Sequence, residues 1–282
     1  MAAAALGQNV HDFRAMGAAP CAWSQPVQKA DKSLDVPKTI ALLKTDGFTC
    51  HAMPIENAPP YTWDEFQRLL AAADAAGIDE WPVLIPPTEG YSAPYKHDFV
   101  AWMRVFAKLS RRYPHLRGVN IDDLDQDENV KLFSRDYVCR IYSAKQAINP
   151  KLSFVPTIYE LDQAYADRLS GCVDGIWLWW KQLDTAAQLS ATLRSEKAAA
   201  AGRFPVYGGV YAHSTSWHKA PVTPSVFKQT LEQTCRLTDG AVIWNLTLEA
   251  PDPLLRIAET FTHPGGAARC GSGPPKATAD RQ

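Results

Sequence analysis

The densest chemistry in the chain is the run Val119-Asn120-Ile121-Asp122-Asp123-Leu124-Asp125, a short apolar stretch ending in adjacent acids. In a strand, alternate residues face opposite sides, so Val119 and Ile121 turn outward while Asn120 and Asp122 turn inward. Asp123 falls at the turn that follows. Two carboxylates this close cannot both ionise cheaply, so one is expected to hold its proton above the ordinary range. A protonated carboxyl beside an ionised one is the pair that cleavage of a glycosidic bond requires. A blander reading has Asp122 capping the next loop and its neighbours solvated. Adjacent acids directly after an apolar strand are costly without a purpose, which favours the functional reading. The spacing Asp123-x-Asp125-x-Asp127 also looks like the opening of a calcium loop, but the central Gly is missing and Ser134 stands where the closing Glu belongs. No metal or other cofactor is expected.

Other unusual side chains gather where apolar stretches end: Trp23, Glu56, Glu89, Tyr159, Trp179, Trp180, Tyr211, His213, Trp244, Asn245 and Glu249. Aromatic faces stack on the C–H faces of sugars, and carboxylates bind their hydroxyls. In Trp177-Leu178-Trp179-Trp180, alternation puts Trp177 and Trp179 on one face and Leu178 and Trp180 on the other. One pair is expected in the core and the other in a pocket wall. His213 and His218 sit in a polar loop, where solvated histidines are commoner than catalytic ones. Asn245-Leu246-Thr247 matches the glycosylation pattern but falls in an expected core strand. Ser214, Ser216 and Cys21 lack the local context of a nucleophile.

The elements that must position these residues alternate along the chain. Strands are expected at 19–24, 48–55, 81–85, 118–121, 152–159, 173–180, 204–211 and 241–248. Helices intervene, opened by Asp35 with Pro37, by the capping box Thr62-x-x-Glu65 and by Thr223-Pro224, and stopped by Gly47, Gly77 and Gly202. The helix from His97 to Tyr113 carries Phe99, Trp102, Met103, Phe106 and Leu109 at helical spacing. Strand–helix units joined by short links predict a closed (β/α)₈ TIM barrel, whose C-terminal mouth carries the chemistry. An open doubly wound sheet is the alternative. It usually carries a glycine-rich phosphate loop after its first strand, and Trp23-Ser24-Gln25-Pro26 is unlike one.

The chain has 282 residues, with 29 basic and 30 acidic side chains. That balance gives no reason to expect nucleic acid as a partner, and no apolar run of about 18 residues suggests a membrane span. The barrel is expected over residues 19–263, after an N-terminal extension (1–18) and before a disordered tail (264–282). Met1–Leu6 is too short for the apolar region of a signal peptide and lacks its basic flank. None of the six cysteines forms a CxxC pair. A Cys235–Cys270 bridge is expected, with the other four as buried free thiols. Richness in Trp, Tyr and Pro leans towards a secreted or periplasmic protein.

The stretch Ile121-Asp122-Asp123-Leu124-Asp125 resembles the fourth strand of retaining β-N-acetylhexosaminidases that use the substrate's own acetamido group, especially the O-GlcNAcase-like family. The resemblance implies that Asp122 orients and polarises that group, that Asp123 is the general acid/base, and that Tyr159 lies near the acetamido oxygen. Chitinase-like barrels are also similar, but Asn120 replaces their first strand Asp and Leu124 falls where their catalytic Glu belongs.

The residues and the resemblance together point to a glycoside hydrolase. Asp123 is the expected acid/base and Asp122 its partner, with Glu249 and Glu56 as candidates for a separate nucleophile. Trp23, Glu56, Asp125, Tyr159, Trp179, Trp180, Tyr211, His213, Trp244 and Asn245 are the expected substrate contacts. The alternatives are a carbohydrate-binding barrel without catalysis and a metal-dependent lyase or hydrolase built on Asp122, Asp125 and a His.

Overall fold

A computed structural model describes residues 19–180, 186–215, 222–249, 251–263 and Cys270. The expected N-terminal extension, most of the expected tail, Ser216 and His218 lie outside the described residues. Strands and helices alternate through β1 (Cys21–Ser24), α1 (Val36–Thr45), β2 (Cys50–Ile55), α2 (Trp63–Ala76), β3 (Asp79–Leu84), α3 (Phe99–Leu109) and β4 (Gly118–Ile121). They continue with α4 (Asn129–Leu132), α5 (Arg135–Gln146), β5 (Ser153–Phe154), β6 (Thr157–Ile158), α6 (Gln163–Leu169) and β7 (Ile176–Leu178). The chain ends with α7 (Ala186–Ala200), β8 (Val206–Tyr211), α8 (Pro224–Leu237), β9 (Gly240–Leu246) and α9 (Pro253–Thr262).

Every strand pairing is parallel, in the order β5-β4-β3-β2-β1-β9-β8-β7-β6. The two end strands are halves of one extended segment, so the sheet closes on itself as a barrel. Val155 N–H donates to the Val119 carbonyl on one side, and Trp177 N–H to the Pro156 carbonyl on the other. Pro156, which has no N–H to add to a ladder, marks the break.

The capping signals act as the sequence predicts. Asp35 accepts from Lys38 N–H and Thr62 from Glu65 N–H, while Gly77 ends α2 at φ +72°. Ser134 caps α5 by accepting from Tyr137 N–H. The short helix α4 carries no such signal and was not expected.

Alternation along each strand divides the core. Outward residues such as Val119, Ile121, Leu178 and Ile243 meet the helices. Inward residues fill the barrel with rings: Trp81, Trp177, Trp179 and Tyr207, with Trp23 above them. Trp177 lies 5.7 Å from both Trp23 and Trp81, centroid to centroid. Two glycines make room. A Cβ on Gly118 would stand 2.1 Å from the Trp81 ring, and one on Gly209 would stand 2.1 Å from the Trp179 ring.

The cysteines correct the expectation. Besides Cys235–Cys270, bridges join Cys21 to Cys50 and Cys139 to Cys172, so the four expected free thiols are paired. Parallel pairing of Ala22 with His51 sets Cys21 beside Cys50 on neighbouring strands, a register that the sequence alone does not reveal. Three disulfides are consistent with an extracellular protein. Among the described residues no helix is long and apolar enough to cross a membrane.

Gly209→Ala is expected to destabilise the fold by about 1–3 kcal/mol, the usual result of overpacking. The clash falls on Trp179, so its fluorescence should change as well. Urea unfolding followed by tryptophan emission checks both, and unchanged stability and emission would show that Trp179 has room to move.

Candidate active site

The C-terminal ends of the strands surround a cleft with two lobes. One, about 210 Å³, is lined by Ser24, Gln25, Pro54, Glu56, Tyr61 and Asn245 among others. The other, about 250 Å³, is lined by Asp123, Tyr159, Trp179, Tyr211 and Thr215. Trp23, Glu89, Asp122 and Trp244 border both lobes, so the acids stand where the lobes meet.

Each acid is placed by the element below it. Asn120 and Asp122 point into the barrel, as alternation requires. Asn120 is fully buried, and its amide donates to the Val155 carbonyl at 2.7 Å and to Thr157 Oγ1 at 3.0 Å. One residue higher on the same face, the Asp122 carboxyl accepts from Asp123 N–H at 3.0 Å and is hydrogen-bonded to Thr157. Asp123 then turns the chain at φ +46°, a left-handed conformation that Asp tolerates better than most residues. Its carboxyl meets two partners, the Tyr159 hydroxyl and the Glu89 carboxyl. The Tyr211 hydroxyl is hydrogen-bonded to Tyr159.

Electrostatics follow from this crowding. Burial, then the charges of Asp123 and Glu89, push the Asp122 carboxyl well above the usual carboxylate range. Burial, then Asp123 and Glu56, push Glu89 up to about 7. Burial alone raises Glu56. Burial and the nearby acids raise the Tyr159 and Tyr211 phenols, which therefore stay protonated.

The rings make the walls. Trp179 lies 5.0 Å from Tyr211, and Tyr211 lies 5.7 Å from Trp244. Of the WLWW run, the inward pair is Trp177 and Trp179, with Trp177 in the plug and Trp179 in the wall. Trp180 packs on the helix side and borders neither lobe.

Several other expected residues are also placed elsewhere. Glu249 is exposed and ion-paired with Lys38 of α1. His213 contacts Thr247 Oγ1 at 3.3 Å, outside both lobes. Asp125 turns away from the cleft and is only partly exposed. It accepts from the backbone N–H groups of Tyr159 at 2.9 Å and Glu160 at 3.2 Å, fixing the end of β6. Burial raises its carboxyl. Glu56 and Asn245 do reach the cleft, Asn245 at φ +60°. Among the described residues no three His, Cys, Asp or Glu side chains converge as metal ligands. The residue most understated by the sequence is Glu89. A strand-end acid was its only signal, and the loop that carries it inward has no distinctive pattern.

No family model matches the sequence, and no curated protein matches it either. Solved structures do resemble it. One is a family 27 β-L-arabinopyranosidase from Geobacillus stearothermophilus in complex with arabinose, at TM-score 0.62 and 8% identity, covering 89% of this chain and 78% of that one. Another is the catalytic domain of the major endoglucanase from Xanthomonas campestris pv. campestris, at TM-score 0.60 and 11% identity, covering 86% and 95%. A family 99 endo-α-mannosidase from Bacteroides thetaiotaomicron has TM-score 0.56 and 12% identity, covering 79% and 81%. At these identities the likeness is one of fold, and the fold is the (β/α)₈ barrel.

A carboxyl whose folded pKa lies above its unfolded value contributes stability below the unfolded pKa and loses it as pH rises through the folded one. Asp122→Asn is therefore expected to stabilise the protein at pH 7, with the gain vanishing near pH 4. Urea melts of both proteins across that range check the sign. A variant less stable than wild type at pH 7 would show Asp122 ionised and well solvated.

Proposed function

We propose that this barrel is a glycoside hydrolase acting at the junction of the two lobes. The observation that carries the reading is the cleft itself, in which the adjacent acids that follow β4 stand between aromatic walls at the C-terminal mouth of a (β/α)₈ barrel. Active sites of this fold lie at that mouth. The solved structures of similar fold are named as glycosidases, which agrees with the reading without carrying it. Together the lobes reach the size of small-ligand sites. A sugar ring in the lobe of Trp179 and Tyr211 and another in the lobe of Glu56 and Tyr61 would set the connecting oxygen over the acids.

In this reading Asp123 is the general acid/base. Asp122, held by Thr157 and Asp123 N–H, is its partner against the sugar ring. The resemblance at Asp122-Asp123 favours substrate assistance, with Asp122 orienting a 2-acetamido group and Tyr159 donating to its oxygen. Glu56 lines the cleft and is the remaining candidate for a separate nucleophile. Glu249, tied to Lys38 at the surface, is not. Export to an oxidising compartment fits the three disulfides.

Asp123→Asn is expected to lower turnover on a glycan by about 10²–10⁴, the usual worth of general acid–base catalysis. Substrate binding should change far less. An aryl glycoside with a nitrophenolate leaving group, which needs no proton, should be partly spared in its first step. Full activity of Asp123→Asn on the glycan would remove Asp123 from the mechanism. Glycan binding by a wild type that hydrolyses no glycan would favour a carbohydrate-binding barrel.

A further inference from the structure

Glu89 and Asp123 sit on different loops, after β3 and β4, yet their carboxyls share a hydrogen bond. Two ionised carboxylates have only acceptors to offer each other, so this bond needs a proton on one of them. The two loops are clamped in this relation by a third side chain. Asn129, fully buried at the start of α4, donates from its amide to Thr88 Oγ1 at 2.8 Å and to the Asp123 carbonyl at 2.9 Å. Its side-chain oxygen accepts from Thr88 N–H at 3.4 Å. One amide thus ties the residue before Glu89 to the backbone of Asp123. On the far side of Glu89, Ser92 is buried and its Oγ accepts from Ile85 N–H at 2.9 Å, fastening the same loop to the end of β3. Asp123 keeps a strained left-handed backbone, the kind of conformation that persists only where its surroundings over-determine it.

We propose that Glu89 and Asp123 form a dyad holding one proton between them, that Asn129 positions it, and that this dyad is the proton store of the active site. The proposal rests on the reading that the cleft hydrolyses a glycosidic bond through the substrate's acetamido group. In the first step the acetamido oxygen bonds to the anomeric carbon and the bond to the leaving oxygen breaks. That oxygen keeps the electron pair and takes the dyad's proton from Asp123, leaving both carboxyls ionised. In the second step the oxygen of a water bonds to the anomeric carbon, the acetamido oxygen departs with its electron pair, and one water proton returns to the dyad.

Among the described residues the titratable groups facing the dyad are Asp122 just after β4, Glu56 just after β2, Tyr61 from the loop beyond it, Tyr159 just after β6 and Tyr211 from β8. The acids among them oppose a second negative charge on the dyad. The phenols stay protonated and can donate to it. Glu89 at about 7 agrees with a shared proton that is still present near neutral pH.

The test has an arm that needs no activity. In protein labelled with ¹³C at the glutamate carboxyls, and assigned with Glu89→Gln, the Glu89 carbon should titrate near neutrality. In Asp123→Asn its midpoint should fall by about one unit or more, because the charge it shares a proton with is gone. Asn129→Ala should lower it in the same direction by loosening the clamp. In kinetics, Glu89→Gln should shift the alkaline limb of kcat/KM to lower pH by about one unit and cut kcat by about 10²-fold. A merely structural Glu89 would lower activity and leave the limb where it was. A wild-type Glu89 carbon titrating in the ordinary carboxylate range, or an unmoved limb in Glu89→Gln, overturns the dyad. If the carbon titrates near neutrality but no glycan is cleaved, the dyad stands and the glycosidase reading falls.

Discussion

The rest of the site depends on how the barrel is filled. Parallel strands closed into a ring leave an interior that side chains must occupy, and here large rings occupy it. Trp81, Trp177 and Tyr207 form a plug that is almost wholly buried. Among the described residues the buried indole N–H groups of Trp81 and Trp177 meet no protein hydrogen-bond acceptor, so the rings act here through packing alone. That burial extends to the layer above. Asp122 stands just over the rings, and burial is the largest cause that pushes its carboxyl above the usual carboxylate range. The plug thus sets both the floor of the cleft and the electrostatics of its acids. Glycines at 118 and 209 are the local requirement, since a methyl group at either would overlap an indole.

Much of this was legible because period-two alternation is a local property. The inward placing of Asn120 and Asp122 and the pairing of Trp177 with Trp179 both follow from it. Helix boundaries were legible for the same reason: a capping side chain and the amide it bonds lie three residues apart. What escaped depends on distance along the chain. The Cys21–Cys50 bridge is fixed by strand register. Asn129 looks like any polar residue in a loop, and only folding brings it to Thr88, 41 positions away. Asp125 belongs to the acidic run that suggested chemistry, but its carboxyl serves the backbone of Tyr159 and Glu160 instead. Trp180 follows a pocket residue in sequence, yet alternation sends it to the helices.

Ionic pairs on the outer face of the sheet have a different character from the acids at the mouth. His51 and Glu80 lie side by side on β2 and β3, fully buried, with Nδ1 2.9 Å from a carboxylate oxygen. Lys145 of α5 meets Asp174 at 2.7 Å, and Asp174 also accepts from Phe154 N–H, fixing α5 to β5. In each of these pairs burial of the carboxyl is opposed by the hydrogen-bonding partner it meets. Losing one partner would leave a buried charge uncompensated. At the mouth, Asp122, Asp123 and Glu89 have one another as neighbours, so burial and repulsion act in the same direction. The contrast separates pairs that hold the barrel from acids that the barrel must hold.

That load explains why the loops around the acids are so heavily fastened. Asp123 and Asn245 are left-handed without being glycine, and Asp122 and Glu89 are neighbouring acids in a largely buried part of the cleft. Each departure opposes folding, so each needs a surrounding structure that does not yield. Asn120 and Thr157 brace β4 against β6, Asn129 joins the β3 and β4 loops, and Asp125 pins the end of β6. These bonds use polar side chains that touch neither lobe's interior, and all of them converge on the segment 120–125. A chain with no demand on that segment could relax it by placing a glycine at 123 or an amide at 122. The density of fastening around a locally unfavourable arrangement is the physical sign that position, rather than stability, is what this part of the fold secures.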